Sequence, residues 1–174
     1  MKRIQLFITA AFVLCCGLSV QAQNNAIDRY FDQYANDETF TKVSISSKMF
    51  NLFTNFDLEN EEDQKVIESI SKLKGLKMLV ANEYPEAEQT YRQAIQLPQS
   101  RMEELMTVES KEKELKFFIT EENGKIAELL MLSYEKDHMI IMSLVGDIDL
   151  KELSSLSSKM DIQGFDQLDK LNEK

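Results

Sequence analysis

Residues 114–148, ELKFFITEENGKIAELLMLSYEKDHMIIMSLVGDI, decide the fold. Asn123-Gly124 sits between two runs rich in β-branched and aromatic residues, the strongest short-range signal for a β-hairpin. With Glu122 paired to Lys125, Phe117 faces Leu130, Leu115 faces Leu132 and Ile119 faces Glu128. A second hairpin follows, with Tyr134 and His138 flanking Glu135-Lys136-Asp137, and it sets Leu132 against Ile140 and Leu130 against Met142. Both registers send one apolar set to one face, as a half-buried sheet requires. The middle strand, 126–132, is apolar on both faces and therefore belongs in the interior of the sheet.

Upstream, the apolar period changes. Ala26, Ile27, Tyr30, Phe31 and Tyr34 recur at helical spacing and predict an opening amphipathic helix. Val43 and Ile45 alternate with Lys42, Ser44 and Ser46 as a short strand, and Met49, Leu52, Phe53 and Phe56 return to a helical stripe after a tight step at Ser46-Ser47. Asn60 can cap the next helix, acidic residues load its first turn, Val66, Ile67, Ile70 and Leu73 form its stripe, and Gly75 suits its C-terminal cap. A strand over 76–81 follows, then a helix opened by Pro85. Ser100-Arg101-Met102-Glu103 matches a capping box and predicts that a helix restarts through Leu105 and Met106. Asp149 caps a last helix with Leu150, Leu153, Leu156 and Met160. This order predicts an α+β two-layer sandwich: a mixed five-stranded sheet, made of two βα units and a three-stranded antiparallel meander, with helices mainly on one face. Residues 23–162 read as a single domain, with a polar tail over 163–174.

The N-terminus carries an address. Lys2 and Arg3, an apolar run from Ile4 through Leu18 and the small residues Val20 and Ala22 around Gln21 form a secretory signal peptide, too short to span a membrane. Cleavage after Ala22 would leave 152 of the 174 residues, beginning at Gln23 and lacking both cysteines, Cys15 and Cys16. A lipoprotein signal is the competing reading, but Leu14 and Cys15 are not the small residues wanted before an acylated cysteine. Export places the chain in the periplasm or outside the cell. Loss of two basic residues would take its formal charge from −10 to −12, which disfavours nucleic acid and anionic membranes as partners.

Several landmarks together have a family likeness. They are Val43-x-Ile45-Ser46-x-Lys48-Met49-Phe50, Leu73-Lys74-Gly75-Leu76, Glu103-Glu104-Leu105-Met106, Gly124-Lys125-Ile126-x-Glu128-Leu129 and Ser143-Leu144-x-Gly146-x-Ile148-Asp149-Leu150. In order and spacing, over residues 27–162, the chain resembles the exported bacterial family catalogued as domain of unknown function 4252. That resemblance implies a secreted or periplasmic domain of Gram-negative bacteria without an assigned activity, and it transfers no catalytic residues.

The residues themselves carry no recognisable catalytic set. His138 is the single histidine, placed at the mouth of a hairpin with no G-x-S-x-G elbow in the chain and no second histidine to share a metal. Asp57, Glu59, Glu61 and Glu68 fall in an EF-hand-like register, but Glu62 stands where the sharp turn needs glycine, and Gln64 where an apolar residue is usual. No cofactor or metal is expected. Glu128 is the one candidate ligand-binding residue, because the register turns it toward Leu115, Phe117, Leu130 and Leu132. An enclosed, unsatisfied carboxylate costs on the order of several kcal/mol, so a solvated position at the rim of the sheet is the expectation. The methionines fall mostly on core stripes (Met49, Met78, Met102, Met142), where they fill gaps. The function expected is thus a non-enzymatic exported domain that binds an envelope protein or peptide, with its oligomeric state open. The alternatives are a small-molecule or lipid carrier with a cavity between sheet and helices, and a hydrolase built on acids such as Glu128 and Asp149.

Overall fold

The computed structural model describes residues 26–34, 36–53 and 61–151. Its elements in chain order are α1 (Ala26–Gln33), β1 (Phe40–Ser46), α2 (Ser47–Phe53), α3 (Glu61–Ser71), β2 (Leu73–Ala81), α4 (Ala87–Ala94), α5 (Gln96–Gln99), β3 (Glu103–Glu109), β4 (Lys113–Glu122), β5 (Lys125–Glu135) and β6 (His138–Ile148). The signal peptide, Phe56, the Asn60 cap, the helix beyond Lys151 and the tail over 163–174 lie outside the described residues.

One six-stranded sheet, ordered β1-β2-β6-β5-β4-β3 and antiparallel at every pairing, replaces the mixed five-stranded sheet with two βα units. Two differences produce the change. The first is the connection between β1 and β2. It holds two helices, α2 and α3, and returns the chain to the end of the sheet it left, where Ser46 pairs with Gly75. Had the same two helices carried the chain to the other end, β2 would be a parallel neighbour of β1. The second is β3, an edge strand where the capping box predicts a helix. Ser100 closes α5 instead of opening a helix, its Oγ donating to the Leu97 carbonyl at 2.8 Å while the Arg101 and Met102 amides bond Pro98 O. Beyond it, Met106 and Val108 alternate with Thr107 and Glu109 and pair with β4. Gly75 likewise is a strand residue and not a cap, since α3 ends at Ser71 and β2 begins at Leu73.

The Asn123-Gly124 hairpin is present, with Glu122 opposite Lys125 and φ of +55° and +76° at the two turn residues. Past the turn, a bulge near Ala127 shifts the register by one, so Phe118 faces Leu130 and Thr120 faces Glu128. The β5–β6 turn is also one residue tighter than expected. Glu135 faces His138 across Lys136-Asp137, and Leu132 faces Ile141. Replacing Gly124 by Val is expected to cost about 1–3 kcal/mol, the range for a strained backbone position. No atom lies within 4 Å of the site of an added Cβ, so a lowered urea midpoint would report conformational strain rather than a clash.

Both faces of the sheet are packed, against the expectation that helices lie mainly on one. Ile27 and Tyr30 of α1 and Ala87, Tyr91 and Ala94 of α4 cover Leu79, Phe118, Leu130, Leu132 and Ile141. On the opposite face, Phe50 of α2 and Ile70 of α3 join Leu115, Phe117, Leu129, Met131, Met142 and Leu144. The central strands β5 and β6 serve both layers, which is why they are apolar on both sides.

Candidate functional site

Glu128 is buried, 7% exposed, rather than solvated at the rim. The bulge turns it to the α1/α4 face with Leu130 and Leu132, away from Leu115 and Phe117, which the sequence register had put beside it. Its Oε1 accepts the Ser143 hydroxyl at 2.7 Å. Burial raises the pKa of the nearby Tyr30 phenol, and Tyr34 and the Glu128 carboxylate add to the rise. Tyr30 OH donates to the Ala94 carbonyl at 2.7 Å, tying α1 to α4 across this layer. Ser143 also lines an open cleft with Ile27, Ser44, Ser46, Lys74 and Lys77. Ile45 and Val145 line it as well, so its wall is mixed. Ser143→Ala should lower stability by about 1–2 kcal/mol, since it removes a donor from a buried carboxyl group; an unchanged denaturation midpoint would show that other partners suffice.

A second buried acid lies in residues 111–116, whose mixed charges read in the sequence as a solvated connector. Glu114 at the start of β4 is 3% exposed. Arg92 Nη1 reaches its Oε2 at 2.7 Å and Lys116 Nζ its Oε1 at 3.8 Å. The guanidinium lies 5.7 Å from the Tyr134 ring centre and 6.0 Å from that of Tyr91, beside two rings whose centres are 4.9 Å apart. Burial first, and then Glu114, raises the pKa of the Tyr91 hydroxyl. The available signal was the two-residue period: Glu114, Lys116 and Phe118 share one face of β4. The cluster matches a buried acid to a cation and pins α4 to the sheet.

The other candidates remain apart. His138 is half exposed in the β5–β6 turn, its Nδ1 3.0 Å from Asn82 Oδ1 and its Nε2 3.2 Å from Asp137 Oδ1. Asp149 caps the turn of helix that begins at Leu150, accepting the Lys151 amide at 2.9 Å, and borders a depression with Lys72, Lys125 and Asp147. Glu128 is not among the residues that line this depression, so the two acids named for a hydrolase do not meet there. Glu61 and Glu68 are both in α3, where Glu68 meets Lys72 at 3.2 Å; Asp57 and Glu59 lie outside the described residues. Among the described residues, no group of three or more His, Cys, Asp or Glu is placed to hold a metal ion. No helix among them is long and apolar enough to cross a membrane.

The surface differs from the sequence reading at one element. Met49 and Leu52, read as core positions on the α2 stripe, are 48% and 59% exposed. Among the described side chains of α2, Phe50 is the one that turns inward, and the helix rests on β1 and β2 at the margin of the sheet. Beside it β1 is an outer strand, with Thr41, Lys42, Ser44 and Ser46 exposed. An exposed apolar helix face beside an unpaired strand edge is a recognised docking surface for another chain.

A family model described as Domain of unknown function (DUF4252) matches residues 34–156. Neither a curated protein nor a solved structure matches the chain.

Proposed function

The chain belongs to the family of Domain of unknown function (DUF4252), and for this member we propose an exported, non-catalytic domain that binds another polypeptide through β1 and α2. The observation carrying this reading is the exposure of Met49 and Leu52 on a helix lying beside the open edge of β1. An edge strand left unpaired among the described residues offers a row of backbone donors and acceptors to an extended partner. Export follows from the Lys2-Arg3 start, the apolar run and the Val20-Gln21-Ala22 site. The partner is then an envelope or secreted protein or peptide.

A photo-crosslinking residue placed at Leu52 in living cells tests the reading, with Glu109 on the opposite edge as control. Adducts of raised mass from position 52 and not from 109 are expected; none from position 52 would remove the basis for partner binding there. Export has its own check in the intact mass of the native protein. It should correspond to a chain starting at Gln23, and a species that retains Cys15 or is acylated on Cys16 would contradict cleavage after Ala22.

A further inference from the structure

The two open edges of the sheet differ in kind. β3 reads Glu-Glu-Leu-Met-Thr-Val-Glu from Glu103 to Glu109 and carries a bulge near Leu105. Pairing it with itself about Met106 would set Glu103 against Glu109, placing like charges face to face, a device that keeps edges from associating. β1 reads Phe-Thr-Lys-Val-Ser-Ile-Ser, with an unbroken register to β2 and no proline. Pairing it with itself about Val43 sets Lys42 against Ser44, Thr41 against Ile45 and Phe40 against Ser46, and no two like charges meet. The Lys42 ammonium is folded back, donating to the Asp37 carbonyl at 2.9 Å, and so does not guard the edge.

Composition points to the same surface. The chain has 30 acidic residues in 174, yet residues 40–53, spanning β1 and α2, contain none. Two acidic copies can approach here without bringing carboxylates together. Val43 pairs with Met78, and Ile45 with Leu76, on the side of the sheet that α2 covers. A two-fold axis through Val43 would therefore bring Val43, Ile45, Met49 and Leu52 of both copies into one apolar seam, covering the exposed helix face. Resting on the partner-binding reading above, we infer that the polypeptide bound at this edge is a second copy of the same chain, its β1 running antiparallel to β1 about Val43. The six-stranded sheet would then continue across the two-fold, with self-complementary contacts as such symmetry requires.

The test uses the chain expressed with its own leader and purified after export. Sedimentation at micromolar concentration should show a dimer. Facing Cα atoms of an antiparallel pair are about 4.5–5.5 Å apart, within the reach of a disulfide. Val43→Cys should therefore cross-link to double mass under mild oxidation, while Val108→Cys on β3 should not. Leu52→Glu, a surface change that leaves Phe50 in place, should weaken the dimer at least tenfold with the far-ultraviolet dichroism unchanged. A monomer at all accessible concentrations overturns the inference, and so does a dimer that Val43→Cys fails to cross-link while Leu52→Glu leaves it intact. If the purified protein is monomeric but the photo-crosslinker at Leu52 captures a different envelope protein, the partner-binding reading survives and this inference fails. If neither occurs, both fail.

Discussion

Gly146→Ala is expected to lower stability by about 2–6 kcal/mol, since backbone strain of about 1–3 kcal/mol adds to overpacking of about 1–3 kcal/mol. Gly146 lies at φ +154°, where β6 passes the start of β2. A Cβ there would sit 2.6 Å from Lys72 O and 2.7 Å from Leu73 Cα. These are backbone atoms, so no side-chain rotation relieves the overlap. Separating the strands would also strain the bond from the Asp147 amide to Lys72 O, at 3.2 Å. The expected outcome is a large drop in the urea midpoint with the slope preserved, or failure to accumulate folded protein. A change below about 0.5 kcal/mol, typical of surface substitutions, would mean that β6 does not approach β2 in this way.

Arg92→Leu is expected to cost about 2 kcal/mol. Removing one member of a buried ion pair usually costs about 3–5 kcal/mol, because the other charge stays enclosed. Here the figure is discounted, since the Arg92 side chain is 51% exposed and Lys116 remains near Glu114. Leucine keeps part of the apolar contact with Tyr91 and Tyr134 but supplies no donor to the 5%-exposed carboxylate. Adding Glu114→Gln should recover at least half of the loss, because the neutral amide has no charge left to compensate. Equal losses for the single and double variants in a mutant cycle would show that Arg92 acts through packing alone.

Glu128 shows where sequence reasoning reached its limit. The expectation of a solvated rim position rested on the cost of burying a carboxylate, and the register that made Glu128 a candidate set it against Ile119, whereas Thr120 opposes it. Agreement between the two hairpins supported that register without testing it. Residues 129–132 of β5 and 139–142 of β6 are apolar on both sides, so a slip of one residue exchanges one apolar set for another. Alternation carries register information only where one face is polar, and these two strands have none through their centres. The edge strand β3 failed for another reason. Ser100-x-x-Glu103 satisfies a local helix rule, but Met106 and Val108 gain a sheet face beside Leu115 and Phe117 that a short helix there would not reach.

Local chemistry alone determined the opening helix, the step from strand to helix at Ser46-Ser47, α3 and α4, the Asn123-Gly124 turn and the Asp149 cap. Each depends on residues within a few positions of one another, through periodicity, a capping oxygen or a required positive φ. Only the tertiary structure decided that β1 runs antiparallel to β2, that β6 rather than β3 lies beside β2, and that Glu114 meets Arg92. It also decided that Met49 and Leu52 face outward. Those outcomes join segments distant in the chain, and they depend on which apolar surfaces cover one another and which charges must be paired once water is excluded, quantities that no local window of sequence contains.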